Sequence, residues 1–169
     1  MVHTVYVALG TNIGDRPANL EAALAALHPA IELSRRSPIY ETQPWGYADQ
    51  PAFLNMVIEG QTLLPPLDLL AQLKDLEQTL GRTPTFRNGP RLIDLDILFY
   101  DDLLLDTPAL VIPHPRLHER TFVLVPLAQL APGFVHPRLR SSIIQLLDAL
   151  DTGGVTLFRP ALAGKPGQA

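Results

Sequence analysis

The 169-residue chain contains no cysteine. This absence excludes disulfide bonds, thiolate metal sites and cysteine nucleophiles, and it is consistent with a reducing compartment. Positive charge is scarce as well, since 13 Lys and Arg residues against 17 Asp and Glu residues give a formal net charge of −4. General binders of nucleic acid or of anionic membranes usually carry a basic excess, so we expect neither kind of partner.

A long apolar run is also missing. No stretch approaches the roughly 20 apolar residues that cross a bilayer, and the first residues, Met-Val-His-Thr-Val-Tyr-Val, lack the charged region that begins a signal peptide. We therefore expect a cytoplasmic protein. We also expect it to be a monomer.

Because the length suits one hydrophobic core, we predict a single domain over residues 1–158. A flexible tail is expected over residues 159–169, which are rich in Pro, Gly, Lys and Gln.

The most informative stretch covers residues 87–100 and reads RNGPRLIDLDILFY. A Gly-Pro turn precedes a run of strand-forming residues, and side chains alternate between the two faces of a strand. One face then carries an apolar stripe suited to a core, made of Ile93, Leu95, Ile97 and Phe99. The other face carries Asp94 and Asp96.

These two carboxylates lie roughly 7 Å apart at their Cα atoms, and they repel each other unless a cation lies between them. Mg²⁺ takes one or two protein carboxylates and draws its other ligands from water and substrate phosphates. Three arginines, Arg82, Arg87 and Arg91, precede the pair, and this combination is typical of phosphoryl transfer. The alternative is an exposed strand face whose acids are merely solvated. The arginine cluster on an otherwise acidic chain favours the metal site.

A second strand pattern, over residues 53–60, has one apolar face and another that carries Phe53 and Asn55. An aromatic ring beside a carboxamide suits a flat heterocycle, with the ring for stacking and the amide for hydrogen bonds to its edge. The alternative is a strand end with one half-exposed phenylalanine. The loop before it, residues 42–47, holds the only tryptophan, Trp45, which is either a lid over a ligand or a core plug.

The other patterns predict the fold class. Strands are expected over residues 2–9 and 31–41, and helices over 20–31, 65–80, 122–130 and 141–150. The order β, α, β, β, α, β over the first hundred residues predicts an α+β fold, a split βαβ sheet with helices on one face plus additional C-terminal helices. The open face of the sheet then holds the four side chains Phe53, Asn55, Asp94 and Asp96. Gly10 and Gly14 are expected to reverse the chain after the first strand.

Several spaced motifs resemble the 6-hydroxymethyl-7,8-dihydropterin pyrophosphokinase family of the folate pathway. The most specific motif covers residues 89–97 and reads GPRLIDLDI. Residues 50–55, which read QPAFLN, support it, as do Pro113-His114 and Arg120-Thr121-Phe122. Several motifs in the same order are far more specific than one short pattern. The resemblance covers about residues 5–137, and it implies transfer of pyrophosphate from ATP to a pterin alcohol with release of AMP.

The resemblance also implies a ferredoxin-like fold and site roles for individual residues. Two Mg²⁺ ions are expected to bind to Asp94 and Asp96. The pterin is expected to lie between Phe53 and Phe122, with its edge read by Asn55, Thr42, Pro44 and Trp45. ATP is assigned to Glu77, Arg87, Arg91, His114, Arg120 and the backbone near Ile97 and Val111. Arg82 and Arg91 are expected to act on the phosphates during turnover, and Asp96 is the candidate base.

The chain departs from the family pattern at three places. Thr83-Pro84-Thr85 stands where relatives often have another arginine, Asn88 stands where an aromatic residue is frequent, and Pro115 replaces an aromatic residue of some members.

Two other functions are also open. A different metal-dependent transferase acting on nucleotides would share the acidic pair. A sheet module that binds single-stranded RNA is disfavoured by the acidic charge and the lack of clustered aromatic residues.

Overall fold

The computed structural model describes residues 1–43, 49–81 and 92–161. The first half of the chain forms β1 (His3–Thr11), α1 (Arg16–Ala26), β2 (Glu32–Arg36), β3 (Ile39–Thr42), β4 (Phe53–Thr62) and α2 (Pro66–Thr79). The second half forms β5 (Asp94–Tyr100), β6 (Leu105–Asp106), β7 (Val111–Ile112), a 3-10 helix (Leu117–Glu119), α3 (Thr121–Leu130), α4 (Ile143–Asp148) and β8 (Val155–Arg159). The fold is therefore mixed α and β.

Six strands form one sheet in the order β5-β1-β4-β3-β8, with β2 also paired to β4. All of these pairings are antiparallel. Strand β1 lies between β5 and β4, and its Gly10 pairs with Asn55 of β4 on one side and with Asp94 of β5 on the other. The strand order therefore brings residues from three distant parts of the sequence to one end of the sheet.

One face of the sheet is covered by α1 and α2. Asp15 caps α1, since its Oδ1 accepts the Ala18 N–H at 3.1 Å, and each helix has a proline in its first turn, where no donor is lost. Because strand side chains alternate, every second residue of the central strands joins the core on this face. This first core includes Val5, Val7, Leu9, Leu20, Leu54, Met56, Leu69, Leu73, Leu95 and Ile97.

The other face is covered in part by α3 and α4. The second core there includes Tyr6, Val57, Leu98, Phe99, Val123, Leu124, Leu127 and Ile143. The expectation that helices lie on one face and leave the other open is therefore corrected, because the C-terminal helices pack on the second face. The reason is visible in α3, which is apolar around most of its circumference and must be buried.

Strand β5 does not alternate strictly. Its register against β1 shifts after the Tyr6–Phe99 pair, so that Val7 pairs with Ile97 and Leu98 is skipped. Such a bulge turns the side chains beyond it to the other face. Phe99, predicted to share a face with Leu95 and Ile97, lies instead in the second core.

Other local predictions need correction. The single strand expected over residues 31–41 is two strands, β2 and β3, separated at Ser37-Pro38, where the proline cannot donate to a ladder. Gly10 lies inside β1 and reverses nothing, whereas Gly14, with φ +71°, does lie in the following loop. β8 was not predicted, and its last residue, Arg159, pairs with Ile39. Residues 162–169 of the expected tail lie outside the described residues.

None of the helices in the three described ranges has the length and apolar character that a membrane span requires.

Candidate active site

A cavity of about 310 Å³ lies on the second face, between the sheet and the first residues of α3. Its charged or basic lining residues are Lys74, Asp94, Asp96, His114 and Arg120. Its aromatic and neutral polar lining residues are Thr42, Gln43, Phe53, Asn55 and Phe122. Because β1 separates β4 from β5, the carboxylates and the Phe53-Asn55 pair lie on opposite sides of β1, about 10 Å apart for two strand spacings.

The two carboxylates face the cavity from β5, as the alternation of the strand predicted. Their partners in β1 are small, since Ala8 pairs with Asp96 and Gly10 pairs with Asp94. A methyl group and a hydrogen atom leave the space above β1 open. The Asp96 side chain is 42% exposed, so it is accessible to a ligand in the cavity.

Cationic groups surround Asp96. The Lys74 Nζ lies 4.0 Å from Asp96 Oδ1, and Lys74 is one of only two lysines in the chain. Burial lowers the pKa of the half-buried Arg120 guanidinium, while the charge of Asp96 acts in the opposite direction. This cavity therefore combines a negative pair that suits a metal ion with positive groups that suit phosphate.

Two hydrogen bonds fix the position of His114, one from its backbone and one to its side chain. Its N–H donates to Leu98 O at 3.0 Å, and its Nδ1 accepts the Arg116 N–H at 3.1 Å. Burial lowers the pKa of His114, an effect that the nearby Asp96 charge partly offsets. The imidazole is therefore neutral near pH 7, with its proton on Nε2, and it can donate one hydrogen bond from that atom.

The aromatic part of the cavity is organised around Asn55. The Asn55 Nδ2 donates to Thr42 Oγ1 at 2.7 Å, and this bond fixes the orientation of the carboxamide. A Cβ atom at Gly10 would lie 3.0 Å from Asn55 Oδ1, so the glycine provides room beside the amide. Phe122 contributes a ring from α3, and the Arg120 guanidinium carbon lies 5.6 Å from the centre of that ring.

The donor set in the cavity fits Mg²⁺ better than a metal that needs a complete protein cage. Asp94 and Asp96 supply two carboxylates beside open space. Within the part of the chain that the structure describes, no group of three or more His, Asp or Glu side chains could hold a metal ion. Mg²⁺ commonly binds through one or two carboxylates and completes its shell with water and substrate phosphates.

A family model described as 7,8-dihydro-6-hydroxymethylpterin-pyrophosphokinase, HPPK, matches residues 6–132. The chain belongs to the HPPK family. The matched region begins within β1 and extends past the end of α3, and it contains every described residue that lines the cavity. Strand β8 and helix α4 lie outside it.

Curated HPPK relatives agree with this assignment. The chain is 48% identical over 132 residues to the 2-amino-4-hydroxy-6-hydroxymethyldihydropteridine pyrophosphokinase of Bacillus subtilis, covering 77% of this chain and 79% of the relative. It is 47% identical over 139 residues to the Pseudomonas aeruginosa protein of the same name, covering 81% and 86%. The folic acid synthesis protein fol1 of Schizosaccharomyces pombe is 43% identical over 155 residues, or 90% of this chain, but the chain spans only 21% of that protein.

Solved HPPK structures share the fold. A crystal structure titled HPPK-DHPS in complex with substrates superimposes with a TM-score of 0.71 at 16% identity, covering 87% of this chain and 43% of that one. The wild-type HPPK-DHPS of Plasmodium falciparum with pterin and p-hydroxybenzoate superimposes with a TM-score of 0.69 at 18% identity, covering 88% and 42%. At such low identity, these similarities concern the fold alone.

The predicted HPPK site residues fall into three groups. The cavity brings together Thr42, Phe53, Asn55, Phe122, Asp94, Asp96, His114 and Arg120. Three predicted residues, Glu77, Ile97 and Val111, are not among the described residues that line the cavity. Ile97 belongs to the first core, and Val111 lies in β7. Pro44, Trp45, Arg82, Arg87 and Arg91 lie outside the described residues, as do the departures at Thr83-Pro84-Thr85 and Asn88.

Two of the lining residues, Lys74 and Gly10, were not predicted from the sequence. Lys74 stands on α2 among exposed polar residues, where a lysine is normally solvated. The sequence predicts a chain reversal at Gly10, because glycine is common in loops. Only the strand pairings, which bring Gly10 beside Asn55 and Asp94, reveal its position in the cavity floor.

Proposed function

We propose that this chain transfers pyrophosphate from ATP to the hydroxymethyl group of 6-hydroxymethyl-7,8-dihydropterin, releasing AMP, in folate biosynthesis. It is an ATP-dependent diphosphotransferase, a pyrophosphokinase, as expected for a member of the HPPK family. The observation that carries the proposal is the cavity. One space adjoins both a carboxylate pair with cationic neighbours and a ring-and-amide pair, so it suits a substrate that is a triphosphate together with one that is a flat heterocycle.

The pterin binds between Phe53 and Phe122, with Asn55, Thr42, Pro44 and Trp45 along its edge. The orientation of the Asn55 amide supports this assignment: Nδ2 donates one hydrogen to Thr42 Oγ1, and its other hydrogen and Oδ1 complement the donors and acceptors of a pterin edge. Stacking on two phenylalanine rings excludes water from the heterocycle and orients its hydroxymethyl group.

The triphosphate binds on the β5 side of the cavity. Arg120 and the neutral His114 supply donors to phosphate oxygens, and Arg87 and Arg91 complete the set together with the backbone near Ile97 and Val111. Arginine suits this task because its guanidinium makes charge-assisted, often bidentate bonds to phosphate. Arg82 and Arg91 act on the phosphates during turnover. Glu77 is the remaining ATP contact that the family resemblance implies.

Asp94 and Asp96 would hold two Mg²⁺ ions, and bound ions would neutralise the charge of the triphosphate. The hydroxymethyl oxygen attacks the β-phosphorus of ATP in line with the bridging oxygen to the α-phosphate. The new O–P bond forms as the bond to that bridging oxygen breaks, and AMP leaves. Asp96 accepts the hydroxyl proton, a role that its exposure to the cavity supports.

We also propose a fold class, a domain boundary, an oligomeric state and a location for the protein. We assign the sheet to the ferredoxin-like class, because β5, β1, β4 and the β2/β3 edge follow the order of a split βαβ unit. We propose one pyrophosphokinase domain over residues 1–158, a monomeric state and a cytoplasmic location. Sedimentation analysis of the purified chain tests the first two together, and cell fractionation tests the third.

An assay of AMP formation tests the proposed function. Protein, MgCl₂, ATP and 6-hydroxymethyl-7,8-dihydropterin are mixed, and AMP is measured. We expect AMP to require the pterin, to disappear with a chelator, and not to form with 6-methyl-7,8-dihydropterin, which lacks the accepting hydroxyl. AMP formation that depends on a nucleotide acceptor instead would support a different transferase. A gel shift with single-stranded RNA and no ATP turnover would support an RNA-binding module.

A further inference from the structure

Glu77 is a carboxylate buried inside the structure. It lies on α2 and is only 2% exposed, and its Oε2 accepts the Leu95 N–H at 2.7 Å. Leu95 is the residue between Asp94 and Asp96 on β5. The buried carboxylate therefore binds the backbone of the strand at the residue between the two aspartates whose side chains face the cavity.

The same backbone position is approached by a second side chain of α2. Lys74 Nζ lies 3.5 Å from Leu95 O and 3.2 Å from Glu77 Oε2, and it lies 4.0 Å from Asp96 Oδ1. Strand β5 stands at the end of the main sheet, where backbone groups need partners other than a neighbouring strand. Glu77 and Lys74 supply an acceptor and a donor to the two backbone groups of Leu95, as a neighbouring strand would.

We infer that Glu77, assisted by Lys74, is a positioning residue that holds the Asp94–Asp96 pair through the backbone of Leu95. This inference rests on the proposed function only in that the two aspartates are taken to bind Mg²⁺. It differs from the role implied by family resemblance, in which Glu77 contacts ATP. The absence of Glu77 from the described cavity lining and its nearly complete burial favour the indirect role.

Three substitutions of the full chain separate the two roles. Glu77→Ala removes the acceptor, so the Leu95 N–H loses its partner and β5 is free to shift. Glu77→Gln keeps an oxygen acceptor at the same reach but removes the charge. Glu77→Asp keeps the charge but withdraws it by one methylene, and it serves as the test if the alanine variant does not fold. Asp75→Ala, which removes an exposed carboxylate from the same helix, is the matched control.

The measurements are the affinity for Mn²⁺ in the presence of α,β-methylene-ATP by calorimetry, the Leu95 amide signal and its hydrogen-exchange rate by NMR, and the steady-state constants. With Glu77→Ala we expect at least a tenfold loss of Mn²⁺ affinity, at least a fiftyfold loss of kcat, and faster exchange of the Leu95 amide. The KM for ATP should stay within threefold. Glu77→Asp should lose three- to tenfold in Mn²⁺ affinity. For Glu77→Gln, the Mn²⁺ affinity, kcat, the KM for ATP and the Leu95 exchange rate should all lie within fivefold of the wild-type values. For Asp75→Ala they should equal the wild-type values.

Two results would overturn the inference. One is a rise of more than tenfold in the KM for ATP in both the Gln and Ala variants with unchanged Mn²⁺ affinity, because it would show direct contact with the nucleotide. The other is unchanged Mn²⁺ affinity and Leu95 exchange in a folded Ala or Asp variant, which would reduce Glu77 to a structural residue. A wild-type chain that makes no AMP would refute the proposed function, while the Mn²⁺ and amide measurements would still decide this inference.

Discussion

The two faces of the sheet share the same central strands, but one face forms a closed core and the other carries the cavity. The face under α1 and α2 is closed, and its alternate residues on β1, β4 and β5 are apolar. The face under α3 and α4 is apolar only in part, and where the covering ends it carries Asn55, Asp94 and Asp96. Stability is therefore concentrated on the first face, and the second face can keep exposed charges because the first supplies most of the core.

The largest effect is expected from a substitution that removes the chemistry and leaves both cores intact. Asp96→Asn should reduce AMP formation at least about 1000-fold, which corresponds to about 4 kcal/mol, because it removes a proposed metal ligand. The free energy of unfolding in urea should not fall, since the side chain is 42% exposed and lies outside both cores. Asp102→Asn, at an exposed position just after β5, should change neither value. Activity of Asp96→Asn within tenfold of the wild type would exclude the metal assignment.

A substitution in the first core should lower the stability of the protein and leave its activity nearly unchanged. Leu20→Ala removes a fully buried side chain of α1 and should lower the free energy of unfolding by about 3 kcal/mol, because it leaves a cavity in the core. The kcat of the folded fraction should stay within twofold. Leu63→Ala, at a side chain that is 71% exposed, is the control and should change stability by less than about 0.5 kcal/mol. A large fall in kcat with Leu20→Ala would mean that the two faces are not separable.

A buried histidine should make the second face sensitive to acid. His136 is 3% exposed and packs edge-on against Phe99, and its Nδ1 accepts the N–H groups of Arg138 and Leu139. Burial, followed by the nearby charges of His118 and Arg138, lowers its pKa to about 4. The unfolded chain protonates this residue near pH 6.5. Its contribution to stability is therefore complete above pH 6.5 and is lost as the pH falls towards 4.

His136→Asn tests this acid dependence, because the asparagine oxygen can accept the same N–H groups without titrating. Between pH 7 and pH 4 the wild type should lose about 3 kcal/mol more than the variant in the free energy of unfolding. Urea denaturation at a series of pH values measures the difference. His28→Asn, at an exposed position, should follow the wild type. Parallel curves for the wild type and His136→Asn would contradict the assignment.

A smaller effect is expected at the aromatic part of the cavity. Phe122→Ala should weaken pterin binding 5- to 30-fold, or about 1–2 kcal/mol, because one stacking surface is lost. The affinity for α,β-methylene-ATP should stay within twofold, and calorimetry can measure both. Phe158→Ala removes a ring from β8, outside the cavity lining, and should leave pterin binding unchanged. Equal losses for pterin and nucleotide would argue against stacking.

The smallest effect is expected at the cavity floor. Gly10→Ala brings a methyl group to 3.0 Å from Asn55 Oδ1, so the amide must shift from its bond with Thr42. Pterin affinity should fall about fivefold, or about 1 kcal/mol. Gly133→Ala, where an added Cβ meets nothing within 4 Å, should have no effect. An unchanged affinity with Gly10→Ala would show that the Asn55 orientation is not needed for binding.

Much of the site could be predicted because its residues follow local rules. Alternation along β4 and β5 correctly assigned Phe53, Asn55, Asp94 and Asp96 to one face. The prediction was wrong for Phe99 because a bulge interrupts the alternation, and a bulge depends on how two strands align. Lys74 was missed for a related reason, since its proximity to Asp96 depends on how α2 packs against β5.

The sequence by itself determined the family, the reaction class and the two-sided pattern of the central strands, because motifs and side-chain alternation depend on residues close together in the chain. Only the tertiary structure decided that helices cover both faces, that Gly10 lies between Asn55 and Asp94, and that Glu77 binds the backbone of Leu95. Each of these facts joins segments that are distant in the sequence. Such contacts arise from strand register and helix packing, which no local pattern of residues specifies.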